Sequence, residues 1–146
     1  MKAVIQVVKR AELSVDEKLV SKIGQGLVVF FCVEKDDLEE NLTFFAKKIA
    51  NLRLFSDENG KTNLSVQDVG GEVLLVSQFT LAGKCEHGNR PDFFSAERPD
   101  RANELYLKLK DIIEKDYSVS VKTGVFGADM QIMQINDGPF TVTLQK

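Results

Sequence analysis

The sequence predicts an α+β fold, in which a mostly antiparallel sheet has two main helices packed on its outside. Within the first 33 residues, four short runs are rich in β-branched and apolar side chains, with no room for helices between them. Strands joined so closely have to pair antiparallel. Two later segments instead repeat apolar side chains at helical spacing, which favours helices that pack on that sheet.

Length and composition bound the class of protein. The chain has 146 residues, 43% of them hydrophobic and 28% charged, which is typical of one soluble globular domain covering residues 1–146. No apolar run reaches the ~18 residues that a spanning helix needs, and the first residues do not resemble a signal peptide. Cys32 and Cys85 lie in very different settings, which favours reduced thiols in a cytosolic protein.

The predicted strands cover both ends of the chain. Those of the first part are Lys2–Val8, Ala11–Val15, Leu19–Ile23 and Leu27–Val33. In the middle, strands are predicted at Arg53–Phe55 and Leu64–Val66 around a turn at Asp57–Gly60. The closing strands are predicted at Val119–Val121, Met130–Ile135 and Phe140–Leu144.

Two helices complete the prediction. The first opens at Lys35-Asp36-Asp37, where either aspartate is a suitable N-cap, and runs for about four turns. Its apolar stripe comprises Leu38, Leu42, Phe45, Ala46 and Ile49. The second runs from Pro99 to about Lys115, with Ala102, Leu105, Leu109 and Ile112 on its inner face.

The stretch from Glu72 to Leu81 is the most informative one in the chain. It begins as an apolar run typical of a buried strand and then places Ser77, Gln78 and Thr80 close together, with Phe79 between them. Polar groups at the end of a buried strand cost about 1–3 kcal/mol each unless they find partners. They therefore either cap neighbouring backbone groups or face a ligand.

A second informative stretch is Asn136 to Thr141, with the sequence NDGPFT. Asn-Asp-Gly-Pro is turn chemistry, so the simplest interpretation is a hairpin between two strands. The bond between Gly138 and Pro139 can be cis at modest cost because its second residue is proline. A cis bond there would present bare backbone carbonyl groups.

Several functional classes find no support. There is no phosphate-binding loop, no dinucleotide-binding motif and no nucleophile elbow. Cys85 and His87 supply too few ligands for zinc, so no metal or other cofactor is expected. The net charge of −3 argues against a surface coated in basic residues, although local basic clusters occur. These are Lys47, Lys48 and Arg53, and Lys84, Arg90, Arg98 and Arg101.

Together, SQFTL at Ser77–Leu81 and NDGPFT at Asn136–Thr141 resemble the paired signatures of the D-aminoacyl-tRNA deacylases, also called D-tyrosyl-tRNA deacylases. The resemblance continues over most of the chain, at Glu34–Asp37, Arg53–Lys61, Asn89–Phe93, Pro99–Tyr106 and Thr123–Met130.

The resemblance implies a barrel-like fold, a cytosolic homodimer, and hydrolysis of the ester between a D-amino acid and the 3′ end of tRNA. It implies an RNA partner, with no membrane and no DNA. Catalysis would involve Ser77, Gln78, Phe79 and Thr80. Substrate binding would involve Asn136, Gly138, Pro139 and Thr141, with a cis Gly138-Pro139 bond reaching into the partner's site as a wall against L-amino acids.

One position departs from the family pattern. Members carry Arg directly after the Ile-Gln of the first strand, where this chain has Val7. That Arg helps to hold the Gly-Pro segment in the family, so the anchor of Gly138-Pro139 is open here. Two alternatives therefore stand beside the enzyme: a non-catalytic module that binds the tRNA 3′ end, and a thiol hydrolase using Cys85 and His87.

Overall fold

The first strand, β1 (Lys2–Val15), is the centre of the sheet in the computed structural model, which describes residues 1–146. Its first half pairs antiparallel with β3 (Gly26–Cys32), and its second half pairs antiparallel with β2 (Lys18–Ile23). The prediction of two separate strands here was wrong. The chain stays extended because a second partner begins where the first one ends.

The last strand, β8 (Gln131–Gln145), lies along the other side of β1. The predicted hairpin within it was wrong, because both halves of β8 pair with β1 instead of with each other. The turn-forming residues remain within β8 and cause an irregularity in its pairing with β1. The register of that pairing shifts on either side of Val8. The Gly138–Pro139 bond at this point is cis.

Beyond β3 the sheet continues in parallel. The strands β6 (Glu72–Ser77) and β7 (Val121–Thr123) extend it in the order β2-β1-β3-β6-β7. The sheet is therefore mixed, because a helix crosses over before each of these two strands. At the far end β2 returns towards β7, and the Ser21 hydroxyl donates a hydrogen bond to the Thr123 carbonyl oxygen. This contact gives the sheet its nearly closed, barrel-like form.

A short hairpin stands apart from the main sheet, with β4 (Phe55–Ser56) and β5 (Thr62–Leu64) on either side of the predicted turn. Gly60 takes a φ of 73° in this turn, a value that suits glycine. The strand predicted at Arg53–Phe55 thus begins two residues later. Those predicted at Leu64–Val66 and Val119–Val121 are shifted by two residues each, the first towards the N-terminus and the second towards the C-terminus.

The two helices are α1 (Asn41–Asn51) and α2 (Pro99–Tyr117). The predicted start and cap of α1 were wrong. Asp36 has a φ of 66°, which a helix does not allow, and the Asp37 carboxylate instead accepts hydrogen bonds from the Met1 amino group and the Glu34 N–H. Leu38, predicted to be part of the apolar stripe, is 58% exposed. Neither helix is long and apolar enough to cross a membrane.

Two apolar clusters lie on opposite faces of the sheet. The larger joins the sheet to the helices, and its helical members include Leu42, Phe45, Ala46, Ile49, Leu105 and Leu109, all predicted. In α2 it is Ile113 that is fully buried, whereas Ile112 and Ala102 are half-buried at the margin. The smaller cluster fills the inside of the curled sheet and consists of Val8, Ala11, Leu13, Ile23, Val28, Leu74 and Val76.

Candidate active site

The predicted polar residues lie at the edge of the core, at the end of strand β6. Its residues Val73 to Val76 are all buried, because the strand lies between two parallel neighbours with apolar clusters on both faces. The chain leaves the sheet at Gln78, whose N–H donates to the Phe31 carbonyl oxygen at 2.8 Å. A 3-10 helix follows over Phe79–Ala82.

The first side chains of this short helix face outwards, whereas that of Ala82 is buried. The Gln78 side-chain amide donates a hydrogen bond to the Thr80 hydroxyl oxygen. Phe79 and Thr80 are both exposed, and the Phe79 ring meets Phe93 edge to face with ring centroids 5.3 Å apart. The first N–H groups of any helix have no partner within it. The N–H groups of Phe79 and Thr80 are therefore available as donors.

A cavity of about 500 Å³ opens beside this turn. Twelve of its 18 lining residues are hydrophobic. Such a lining is typical of a cavity that binds a small molecule or the end of a nucleotide chain. The residues of the predicted signature that line it are Ser77, Gln78 and Phe79, with Thr80 directly beyond them. Its remaining polar lining includes two carboxylates, those of Glu97 and Asp129.

Three ionisable groups that line the cavity have shifted pKa values. The Arg98 N–H and the Arg101 guanidinium lower the pKa of Glu97, and they occupy both of its carboxylate oxygens. Burial, followed by the Glu34 charge, raises the pKa of the Cys32 thiol to about 11. Burial raises the pKa of Tyr106 to about 12, and its hydroxyl donates to the Leu75 carbonyl oxygen at 2.7 Å.

The second signature lies elsewhere in the chain. Asn136 pairs with Val8 and Thr141 pairs with Gln6, so Gly138 and Pro139 lie beside the middle of β1. Ser77 is three strands away and about four residues further along the sheet. At ~4.8 Å between strands and ~3.3 Å per residue, this amounts to roughly 20 Å along the curved sheet. Within one chain, therefore, the two predicted halves of the site do not meet.

A network of side-chain amides flanks Gly138 and Pro139. The Gln134 Nε2 donates to the Gln6 side-chain oxygen at 2.7 Å and to the Asn136 side-chain oxygen at 2.9 Å. The Gln6 amide in turn donates to the Thr141 hydroxyl at 3.3 Å. Val7 is buried in the larger core. These amides, and not residue 7, bind the two ends of the segment to β1.

Sequence reasoning missed most of the cavity's wall. Cys32, Tyr106, Glu97, Phe126, Asp129 and Met130 line it but come from four separate segments, so no local pattern could join them. Pro99–Tyr106 was predicted as part of a helix, and Thr123–Met130 mainly as part of the resemblance, but neither segment was assigned to the site. Cys85 is exposed, and neither it nor His87 lines the cavity.

Comparisons with known proteins agree over almost the whole chain. The family model described as D-Tyr-tRNA(Tyr) deacylase matches residues 4–145. A protein of Thermosipho africanus named D-aminoacyl-tRNA deacylase is 50% identical over 144 residues, which are 99% of this chain and 96% of that protein. A protein of the same name from Flavobacterium psychrophilum is 43% identical with the same coverage.

Solved structures are similar as well. A c-Myc DNA Unwinding Element Binding Protein superposes with a TM-score of 0.93 and 41% identity, covering 100% of this chain and 99% of that one. A probable eukaryotic D-amino acid tRNA deacylase superposes with a TM-score of 0.84 and 18% identity, covering 98% and 97%. The second likeness concerns the fold alone, and it confirms the barrel-like fold that the resemblance implied.

Proposed function

This chain belongs to the D-Tyr-tRNA(Tyr) deacylase family, and from that premise we propose that it hydrolyses the ester joining a D-amino acid to the 3′ end of tRNA. It is a hydrolase of the aminoacyl-tRNA ester, as its relatives' name states. The observation that carries the proposal is the cavity at the end of β6, where an apolar pocket meets free backbone donors and the Gln78–Thr80 pair. We expect the activity in the cytoplasm, where a tRNA substrate would be encountered.

The backbone donors suit the charge that develops during ester cleavage. When water attacks the ester carbonyl, the carbonyl oxygen becomes an oxyanion, and preorganised N–H groups lower the free energy of that state. The N–H groups of Phe79 and Thr80 lie at the mouth of the cavity. Removing one such donor typically slows catalysis by about 10²–10³-fold. We assign the oxyanion to these two groups.

The attacking water is activated by the substrate itself. A threonine hydroxyl is a poor nucleophile without an adjacent base. The only hydrogen-bond partner of the Thr80 hydroxyl is the Gln78 amide, which donates to it. Both oxygens of Glu97 are already occupied by donors. Asp129, the other carboxylate of the cavity, makes no hydrogen bond with Thr80. We therefore assign assistance of the attack to the 2′-hydroxyl of the terminal ribose, while the protein supplies position and oxyanion contacts.

The two signatures act together only across a homodimer. Roughly 20 Å separates them within one chain, so Gly138 and Pro139 would reach the site of a second copy. Met133 and Ile135 on β8 are large, apolar and exposed, and an edge strand of this kind favours a partner. The Gln134 side-chain oxygen is buried and has no hydrogen-bond partner, which a second copy could supply.

Chiral selection would come from this crossing segment. Ser77, with backbone carbonyls near the partner's Gly138, would hold the amino group of the substrate, while the N–H donors hold its carbonyl. An L side chain would then point into the Gly-Pro backbone, and a D side chain would point away from it. Asn136 and Thr141 would place that wall through the amide network on β1.

The experiment that tests the function compares D-tyrosyl-tRNA with L-tyrosyl-tRNA at enzyme concentrations far below substrate. We expect rapid loss of the D ester and a stable L ester over many turnovers. Cleavage of both esters at one rate would contradict the chiral wall. Binding without cleavage would leave only a module that binds the tRNA 3′ end, and the hydrolase proposal would fall.

A further inference from the structure

The loop of residues 83–96, here called the rim loop, borders the cavity and is firmly held. Lys84 and Asp92 exchange two backbone hydrogen bonds of 2.8 and 3.0 Å. The Ser95 hydroxyl donates to the Ala82 carbonyl oxygen at 2.9 Å, and Phe93 packs against Phe79. These contacts anchor both ends of the rim loop beside the candidate active site.

One aromatic residue of the rim loop contacts no other ring. Phe94 is 81% exposed and belongs to no aromatic pair in the chain. Its N–H is held by the Asp92 carboxylate at 2.7 Å, which fixes the backbone beneath the ring. Leaving a large apolar ring in water forgoes the free energy that its burial would gain. An exposed aromatic ring of this kind is what an unpaired nucleobase stacks on.

Three cationic residues belong to the backbone segments around this ring. The Lys35 N–H donates a hydrogen bond of 2.8 Å to the carbonyl oxygen of Ser95, the residue after Phe94, and Lys84 exchanges backbone hydrogen bonds with Asp92, two residues before it. Arg98 follows Phe94 four residues later along the chain. None of these three cations forms an ion pair, so all three are free to meet phosphates.

Two of the nearby carboxylates are paired with cations. Glu97 pairs with Arg101 and Asp37 pairs with the Met1 amino group, whereas Asp92 accepts the neutral Phe94 N–H and keeps its charge. Asp36 and Glu86 remain exposed and keep the surface from being strongly basic. The charge pattern therefore fits a few phosphates of a short strand and not a long duplex footprint.

We propose that Phe94 and its flanking cations form the binding surface for the unpaired 3′ strand of the tRNA. A base next to the terminal nucleotide stacks on Phe94, while Lys35, Lys84 and Arg98 contact the phosphates of that strand. This inference rests on the proposed function, since it extends the same site outward from the ester. Bases are open to stacking only where they are unpaired.

The decisive experiment uses two substrates that share the ester and differ in the strand, namely D-tyrosyl-tRNA and D-tyrosyl-adenosine. We expect Phe94→Ala to raise KM for the tRNA about tenfold, as loss of one stacked base does, and to leave cleavage of the adenosine ester unchanged. Leu107→Ala, which truncates an exposed apolar residue on the outside of α2, is the control and should alter neither. An unchanged KM for the tRNA, or an equal loss on both substrates, would overturn the proposal.

The charges are tested through salt dependence. Each phosphate contact to a single strand contributes about 0.7 to the slope of log affinity against log salt. Lys84→Ala should lower that slope for D-tyrosyl-tRNA by about this amount, and Lys115→Ala, an unpaired cation at the end of α2, should not. Equal slopes for the two variants would count against the phosphate contacts.

A second copy of this chain is the competing occupant of Phe94. Sedimentation of Phe94→Ala against the unsubstituted protein separates the two, because loss of a stacking platform leaves the assembly state unchanged. A shift to a smaller species would overturn the proposal. Failure of the proposed function is distinct, since the unsubstituted protein would then fail to cleave even D-tyrosyl-adenosine.

Discussion

Gln78 donates its side-chain amide to the hydroxyl of Thr80, two residues further on, at the mouth of the cavity. The bond uses one acceptor position of that hydroxyl and leaves its proton without any carboxylate or imidazole to receive it. The pair therefore positions Thr80 but does not turn it into a nucleophile. This relationship indicates that Thr80 orients the substrate and does not attack it.

Thr80→Ala should therefore retain turnover to within about tenfold. A D-tyrosyl-tRNA whose terminal ribose lacks the 2′-hydroxyl should instead lose about 10²-fold or more, the typical contribution of a group that assists proton transfer. Single-turnover deacylation rates for both measure this directly. Loss of essentially all turnover in Thr80→Ala, with tRNA binding intact, would identify Thr80 as the nucleophile.

The dimeric site can be tested by mixing two disabled chains. Ser77→Phe fills the cavity, and Gly138→Ala adds a methyl group to the crossing backbone, where φ is +117°. If each site draws on both copies, refolding an equal mixture should restore about a quarter of the activity through mixed dimers. Neither variant alone should reach that value, and a mixture no more active than its parts would refute the crossing.

Glycyl-tRNA should be cleaved at a measurable rate, because glycine has no side chain for the Gly138-Pro139 wall to reject. The comparison is the deacylation rate of glycyl-tRNA against D-tyrosyl-tRNA and L-alanyl-tRNA at matched enzyme concentrations. L-alanyl-tRNA serves as the control, since its single methyl group already meets the wall. Complete resistance of glycyl-tRNA at high enzyme concentration would contradict exclusion by the wall.

The junction of β3 with β6 depends on the absence of a side chain at Gly26. A Cβ at this position would lie 1.9 Å from the Glu72 carbonyl oxygen, so Gly26→Ala should lower the free energy of unfolding by about 3 kcal/mol or more. Gly24→Ala is a matched control, because nothing lies within 4 Å of its added Cβ. Urea unfolding of the two variants measures the difference, and similar losses would contradict the close approach.

The ionisation of Tyr106 should lower the free energy of unfolding at high pH. Its pKa is raised by burial from about 10 in the unfolded chain to about 12 in the folded one. Between these values the folded protein holds a proton that the unfolded chain has lost, so the contribution is complete below pH 10 and fades as pH rises towards 12. The difference amounts to about 2–3 kcal/mol.

Urea unfolding between pH 8 and pH 11.5 checks this for the unsubstituted protein and Tyr106→Phe. The variant loses a buried hydrogen bond to the Leu75 carbonyl oxygen, about 1 kcal/mol at every pH, but its stability should fall less steeply above pH 10. Both proteins keep Cys32, whose raised pKa contributes equally to each. Parallel pH profiles would show that Tyr106 does not titrate as its burial implies.

Much of the fold follows from local pattern. Apolar spacing alone predicts the buried strand β6, the apolar stripe of Leu42, Phe45 and Ile49, and the second helix from Pro99. It does so because each element has to bury one continuous face. The polar group at Ser77, Gln78 and Thr80 was likewise visible, since hydrogen-bonding side chains at the end of an apolar strand stand out against it. These features depend on near neighbours in the chain.

The tertiary structure decided where those elements meet. Asn136 to Pro139 have the composition of a turn, yet they continue a strand because β1 offers partners on both sides of them. Asp37 has the composition of a helix cap, yet it binds the Met1 amino group and the Glu34 N–H. The cavity joins Cys32, Glu97 and Asp129 from distant segments. The sequence by itself therefore determined the elements and their chemistry, whereas strand pairing and packing, which act between residues far apart in the chain, determined how those elements are arranged around the site.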